Sequence, residues 1–439
     1  MNSLILSSAA DIIVLSLVIT FTYRKLTFWH PLTAYIFFHI YSFTTRLISI
    51  ITGARVMYQD RPDVYDAVLP EEFERAMMWA DVALIMYAIG AMLAHHQEQK
   101  NKNKPRISKQ LSRGAINVIS AICLPIGVVV LYVLKAEVNI SADITGTSYF
   151  IVIAMWPISC LQQLTFYYGL RWYLVIPISI YLLFVGLQGY HRFMLMLPLL
   201  FFTAYLLQAN RQKWPGVKII LGGIFLLLIF PNLKFIGRAF QGGDYSGAIG
   251  IIQESVIKSE DVKDREGGEQ FLDQYAGSLT MIDEAGKFYY GSTYIALVTL
   301  PIPRSWWSNK PGLADHLYEI STSRRQYSIE GRIITYIGEA YLNFGYFGIF
   351  LVPMLLGFLL TRWCLAATGG QMHRLGCYIY TVCFVTLIQV YRDGLTSLVI
   401  FSIVHNLPVL FIWILHLFPT IGRKVDDSTM LNVKFKQTT

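Results

Sequence analysis

Residues Arg332 to Leu360 read RIITYIGEAYLNFGYFGIFLVPMLLGFLL, a segment that begins as a polar helix and ends as an apolar one long enough to cross a bilayer. At helical pitch Arg332, Tyr336, Glu339 and Asn343 follow one another at steps of four, three and four, so one stripe carries a cation, a phenol, a carboxylate and an amide. Ionisable groups in or at the lip of a membrane helix cost roughly 2.5 to 3.5 kcal/mol each on insertion scales, so such a stripe marks a candidate site.

The composition around it agrees with a membrane setting. Of 439 residues 54% are hydrophobic and 15% charged, and the mean hydropathy is +0.47, which excludes an ordinary soluble domain. Apolar runs of about 17 to 25 residues, the length that spans a hydrocarbon core, recur along nearly the whole chain. The first, Ser3 to Thr22, has no basic residue before it and no small-residue cleavage site after it, so it reads as a retained span rather than a signal peptide. The net charge of +8 belongs largely to short loops between spans, where membrane orientation explains it more simply than nucleic acid does. All five cysteines lie in or beside apolar spans, with no disulfide framework and no CxxC metal pattern.

Hydropathy and the distribution of Lys and Arg predict an all-α polytopic membrane protein of about eleven transmembrane helices, N-terminus outside and C-terminus inside. Residues 1–236 hold spans one to eight. Lys100, Lys102, Lys104, Arg106, Lys109 and Arg113, behind the third span, form the strongest cytoplasmic marker. Spans six and seven are separated only by the turn 188–192, which puts Arg192 at the outer lip. Residues 237–331 form one long outer loop. Within it Phe271, Leu272, Tyr275, Leu279 and Ile282 recur at helical spacing, which predicts an amphipathic helix on the outer surface. The later stretch around Pro301, Pro303 and Pro311 is too broken to span and too apolar to float free, so it reads as half-buried or re-entrant. Residues 332–418 supply spans nine to eleven, the last running Leu395 to Leu417, and 419–439 form a basic cytoplasmic tail.

This orientation places Arg192, Arg304, Lys310, Arg332, Glu339 and Arg392 on or just below the outer face. Short outer turns normally lack Arg, so Arg192 and Arg392 need another reason to be there. A guanidinium fork holds two phosphate oxygens at once and stays charged at any working pH, which suits a lipid diphosphate presented at that depth. The competing reading for any one Arg is snorkelling to lipid phosphate or pairing with a neighbouring acid, Arg392 with Asp393 for instance. Glu339 reads either as a proton acceptor in a partly desolvated cleft or as an ion-pair partner of Arg332 on the same face. Trp306 and Trp307 suit stacking on sugar rings as well as anchoring at the membrane interface. His405 and Asn406, inside span eleven, read as packing. Arg46 and Asp81 read as a pair, and Asp60, Asp63 and Asp66 as a solvated turn. No Walker loop, dinucleotide fingerprint, HExxH or GxSxG is present.

GSTYIALVTLPIPRSWWSNKP (Gly291 to Pro311) followed by GEAYLNFGYFGI (Gly338 to Ile349) resembles the bacterial oligosaccharide repeat-unit polymerases, the Wzy-type O-antigen polymerases. The likeness covers about Phe271 to Leu360 and, more loosely, the turns at Arg192 and Arg392; the first 180 residues share only hydropathy. The resemblance implies a glycosyltransferase of the C superfamily (GT-C) in the bacterial inner membrane, with no cofactor and no metal. Such enzymes join undecaprenyl-diphosphate-linked oligosaccharides at the periplasmic face. It also implies a bilayer setting, a chain-length regulator and a flippase as partners, and no nucleic acid. By the family's motif Arg304, Lys310 with Pro311, and Glu339 are the matching positions. O-antigen ligases, distant relatives, carry a His-Asn-x-x-Leu element before a comparable Gly-x-x-Gly. Gly345 and Gly348 match those glycines here, but no His precedes them at that distance, which favours a polymerase.

On this reading Glu339, Arg304 and Arg332 are catalytic, and Arg192, Arg392, Lys310, Tyr336, Asn343, Trp306 and Trp307 bind substrate. The rivals are a flippase for the same lipid-linked glycans, a ligase, and a membrane acyltransferase centred on His405. A transporter should carry charges along a midplane path and internal repeats, and the chain shows neither.

Overall fold

The computed structural model describes residues 2–54, 68–100, 113–136, 152–187, 193–210, 212–229, 271–299, 313–321, 334–368, 374–402 and 406–417, with a few isolated residues between them. Every regular element among the described residues is helical. In chain order these are α1 (Asn2–Thr22), α2 (Pro31–Ile51), α3 (Pro70–Lys100), α4 (Arg113–Ala136), α5 (Trp156–Tyr168), α6 (Trp172–Leu187), α7 (Phe193–Ala209) and α8 (Val217–Ile229). They continue with α9 (Phe271–Ala285), α10 (Ser292–Thr299), α11 (Leu313–Ser321), α12 (Thr335–Phe344), α13 (Tyr346–Thr368), α14 (Arg374–Asp393), α15 (Thr396–Ser402) and α16 (Leu407–Leu417).

Five helical stretches among the described residues are long and apolar enough to cross a membrane: Ser3–Thr22, Pro31–Ile51, Pro70–Glu98, Gly114–Tyr132 and Tyr346–Thr368. They coincide with spans one to four and nine of the sequence reading. Of the expected eleventh span, 396–402 and 407–417 are helical, as α15 and α16, and residues 403–405 lie outside the described residues. The long opening segment is divided. α12 ends at Phe344 and α13 begins at Tyr346, with Gly345 between them at φ +60, ψ −147, a conformation essentially open only to glycine.

Local chemistry sets the helix ends. Pro31 takes the first turn of α2, where its missing N–H costs nothing, and His30 Nδ1 accepts from Leu32 N at 3.2 Å. Glu72 reaches back to the N–H of Leu69 at 2.7 Å, half of a capping box at the start of α3. Thr335 opens α12 at φ +61 and accepts from Gly338 N at 3.2 Å; a β-branched residue in that region is a strained start, at roughly 1–3 kcal/mol.

The bundle is centred on α3 and α13, which run parallel in close contact. A Cβ on Gly90 would come within 2.0 Å of the Met354 carbonyl oxygen, and one on Gly357 within 2.3 Å of that of Tyr87, so both glycines are needed for the backbones to touch. Near their starts Trp79 packs on Tyr346 and Phe350, with ring centroids 4.6 and 6.0 Å apart. A large apolar core joins α1–α3, α9 and α12–α14, and a smaller one joins α4–α7.

The amphipathic helix expected in the long loop is α9, and it is more deeply docked than a surface helix. Ten of its residues are buried, against α2, α3 and α12. Asp273 in its first turn takes the Arg46 guanidinium on both oxygens, at 2.7 and 2.8 Å. At its far end Asp283 takes Arg75 from α3 and the Tyr341 hydroxyl from α12. Arg46 therefore pairs with Asp273 and not, as expected, with Asp81. No local spacing could have revealed this, since the two residues lie 227 positions apart.

Candidate active site

α12 is only ten residues long, yet it carries three of the four stripe residues, and all three are wholly buried. Glu339 projects between two other segments. Its Oε1 accepts from the Thr293 hydroxyl of α10 at 2.8 Å, and its Oε2 accepts from the Leu395 N–H, just past α14, at 2.6 Å. The turn that presents that N–H is made by Gly394, at φ +96. Among the described residues no Arg or Lys pairs with Glu339. Burial dominates its electrostatics and pushes the carboxyl up to about 7, while the Leu395 N–H and the Thr293 hydroxyl pull it back down.

Asn343, one turn further on, is spent on the same joint. Its Nδ2 donates to Thr293 Oγ1 at 2.7 Å and to the Glu339 carbonyl at 2.8 Å, and its Oδ1 accepts from Gly291 N at 2.9 Å. Two backbone bonds, Tyr289 N to Leu342 O and Tyr290 N to Asn343 O, fasten the strand of chain before α10 to the end of α12. Asn343 thus holds Thr293 against Glu339. Tyr290 adopts φ +48 at this crossing, the other non-glycine residue with positive φ among those described, so both strained positions flank the Glu339 joint.

Tyr336 faces the bundle interior. Its ring packs on Tyr35 and Tyr391, each at 5.4 Å, and Tyr87 completes the group through a 2.8 Å hydroxyl contact with Tyr391. Its hydroxyl has no hydrogen-bond partner among the described residues. Arg392, the last turn of α14, lies close in sequence to Leu395 and so close to the Glu339 joint; its guanidinium stands over the Phe271 ring at 5.6 Å and 3.3 Å from Asp393. The neighbouring-acid pairing anticipated for it is present. Trp307 is 40% exposed. Arg192, Arg304, Trp306, Lys310 and Arg332 lie outside the described residues, as does His405. Asn406 is described, and it caps locally by donating to the Phe401 carbonyl at 2.9 Å.

A second polar group beside this joint escaped the sequence reading. Ser292, adjacent to Thr293, lies 2.7 Å from His316 Nε2 of α11. Tyr289 stacks on the imidazole at 3.9 Å and donates to Glu319 Oε2 at 2.8 Å. Burial lowers the His316 pKa against the pull of Glu319 and Asp315, which favours the neutral ring as acceptor of the Ser292 hydroxyl proton. A lone His in a long loop, 24 residues from its Ser, offers no sequence signal; only the neighbouring Gly291 motif hinted at the place.

Residues 313–420 match the family model described as O-antigen polysaccharide polymerase Wzy. The match spans about a quarter of the chain, and over that stretch the chain is similar to the Wzy polymerases. The Wzy match includes His316, Tyr336, Glu339, Asn343 and Arg392, and so covers the α12 side of the joint and the turn after α14. Ser292, Thr293 and α9 precede it. That likeness supports polymerisation of O-antigen repeat units in general, and the five long apolar helical stretches among the described residues agree with a multi-pass membrane protein. No curated protein and no solved structure matches the chain.

Proposed function

We propose that this protein extends O-antigen-type polysaccharide by joining undecaprenyl-diphosphate-linked repeat units at the periplasmic face of the bacterial inner membrane, within a GT-C-like bundle whose N-terminus is periplasmic and C-terminus cytoplasmic. An acceptor hydroxyl oxygen attacks C1 of the donor glycan as the bond from C1 to the diphosphate oxygen breaks. The diphosphate leaves on its lipid, and the acceptor proton passes to Glu339. The observation that carries this reading is the Glu339 joint: a carboxyl held near 7, inside the Wzy match, where α10, α12 and the turn after α14 meet. A base with a pKa near the working pH combines a large ionised fraction with a real drive to take the proton.

Arg392, together with Arg192, Arg304, Arg332 and Lys310, is assigned to the leaving diphosphate, whose growing charge the transition state must stabilise. Trp306 and Trp307 are assigned to the sugar rings. Thr293 and Asn343 keep the carboxylate in place. The test is elongation of one defined lipid-linked unit by the purified protein in nanodiscs. Wild type should give a ladder, Glu339→Gln and Arg304→Gln should stop at the input unit, and a ladder from Glu339→Gln would remove Glu339 from the proton-accepting role.

A further inference from the structure

Asp11 of α1, His39 of α2 and Asp81 of α3 meet inside the bundle, where their residues are 0%, 0% and 7% exposed. His39 Nε2 lies 2.9 Å from Asp11 Oδ1 and 3.4 Å from Asp81 Oδ1, and one donor atom from each residue falls within 4.8 Å of the other two. An imidazole Nε2 carries at most one hydrogen and serves one carboxylate well. Accordingly Asp81 Oδ1 and Asp11 Oδ2 make no hydrogen bond among the described residues. The cationic side chain next along α2, Arg46, is held by Asp273. The groups around the imidazole are the uncharged rings of Tyr35 and Phe43, at 6.4 and 5.3 Å. Two carboxylates with a single imidazole between them, in a low-dielectric interior, are short of positive charge.

The backbone is also shaped around this point. His39 is the last α-helical residue before the π-helical turn Ile40–Thr44. Such turns are rare and concentrate at functional sites.

We propose that Asp11, His39 and Asp81 bind a divalent metal cation of the zinc type. Two ligands at about 2.0–2.2 Å from a tetrahedral Zn²⁺ stand about 3.3 Å apart, and the 2.9 and 3.4 Å separations bracket that value. Two carboxylates and a neutral imidazole leave the bound ion with no net charge, which suits its burial. The imidazole ligand selects against Ca²⁺ and Mg²⁺, which prefer all-oxygen shells. The ion ties α1 to α2 and α3. Leu6, Ile13 and Phe21 turn the other face of α1 outward, at 73%, 60% and 71% exposure, so the ion would act on its inner, polar face. Tyr35, which lies between His39 and Tyr336, separates the site from α12, so the proposal stands independently of the role given to Glu339.

The test uses full-length protein purified by a tag that needs no metal resin, reconstituted in nanodiscs, incubated with Zn²⁺ and dialysed. Elemental mass spectrometry should find about one zinc per chain in wild type, and at least a fivefold loss in His39→Gln and Asp11→Asn. Chelation of wild type should lower Tm by several degrees, and Zn²⁺ should restore it. Should either variant fail to fold, the wild-type chelation arm still decides. Substoichiometric zinc in wild type, zinc unchanged in both variants, or a Tm indifferent to chelation would each overturn the site, the first leaving a triad that holds only a proton.

Discussion

Arg46 and Asp273 form a two-pronged buried ion pair that ties α2 to the first turn of α9. The pair places a loop helix over the start of the α3–α13 unit, and through Asp283 that helix also grips Tyr341 of α12. Removing one partner takes the two-pronged counter-charge away from a buried group, which typically costs about 3–5 kcal/mol, whereas replacing both with apolar residues is often near neutral. Arg46→Ala should therefore lower Tm sharply in detergent, and Arg46→Met combined with Asp273→Leu should recover most of the loss. An equal drop in the double variant would show that the charges are needed for more than each other.

Glu339 ties stability to pH in the opposite sense from an ordinary salt-bridged acid. Its carboxyl is raised in the folded protein from 4.5 to about 7, so the native state binds the extra proton in that window. Stability is highest below the ordinary value and falls as pH rises toward 7, by about 3 kcal/mol in all. Wild-type Tm should decline between pH 5 and 8, and Glu339→Gln should flatten that part of the curve. Elongation should move the other way, rising through pH 7 as the carboxylate forms. A wild-type Tm profile that the Gln variant reproduces would place the titrating group elsewhere.

Ser292 and His316 position α10 against α11, and α10 in turn carries Thr293 to Glu339. Loss of either side chain should let Thr293 drift, and misplacements near 1 Å at a reacting group cost on the order of 100-fold. Ser292→Ala and His316→Ala should each cut elongation about 10- to 100-fold, with the apparent midpoint of its pH profile displaced from that of wild type. A merely structural contact would lower Tm and leave that midpoint alone.

Much of this architecture was legible in the chain. The spans Ser3–Thr22, Pro31–Ile51, Pro70–Glu98, Gly114–Tyr132 and Tyr346–Thr368 follow from hydropathy, because a bilayer-length apolar run has few other uses. α9 followed from its period, and the shared face of Tyr336, Glu339 and Asn343 from helical pitch. What pitch could not supply was the partner of each residue. Glu339 is bound by a backbone N–H at Leu395, a group that every residue but proline possesses, and Arg46 chose among several acids by tertiary position alone. The break at Gly345 was written in the sequence as Gly-x-x-Gly, but a single glycine within a helical pattern does not announce whether it bends, ends or merely packs the helix.

Gly345 and Gly348 perform different tasks at that break, and substitution should separate them. Gly345 supplies the φ +60, ψ −147 corner, which an alanine can adopt only with roughly 1–3 kcal/mol of strain, and its Cβ would also press on the Phe288 ring at 3.2 Å. Gly348 lets α13 fold back onto α12: a Cβ there would sit 2.1 Å from the Ala340 carbonyl oxygen, a backbone atom that cannot swing aside as a side chain can. Ala340 adjoins Glu339, so the displacement forced by Gly348→Ala acts directly on the joint. Gly348→Ala should abolish elongation while the protein still reaches the membrane in normal amount, because the apolar run that directs insertion is intact. Gly345→Ala should keep partial elongation with a reduced Tm. Quantitative blotting of membranes alongside the nanodisc ladder assay reads both, and full activity in Gly348→Ala would mean that the close approach of α12 and α13 is dispensable for chain growth.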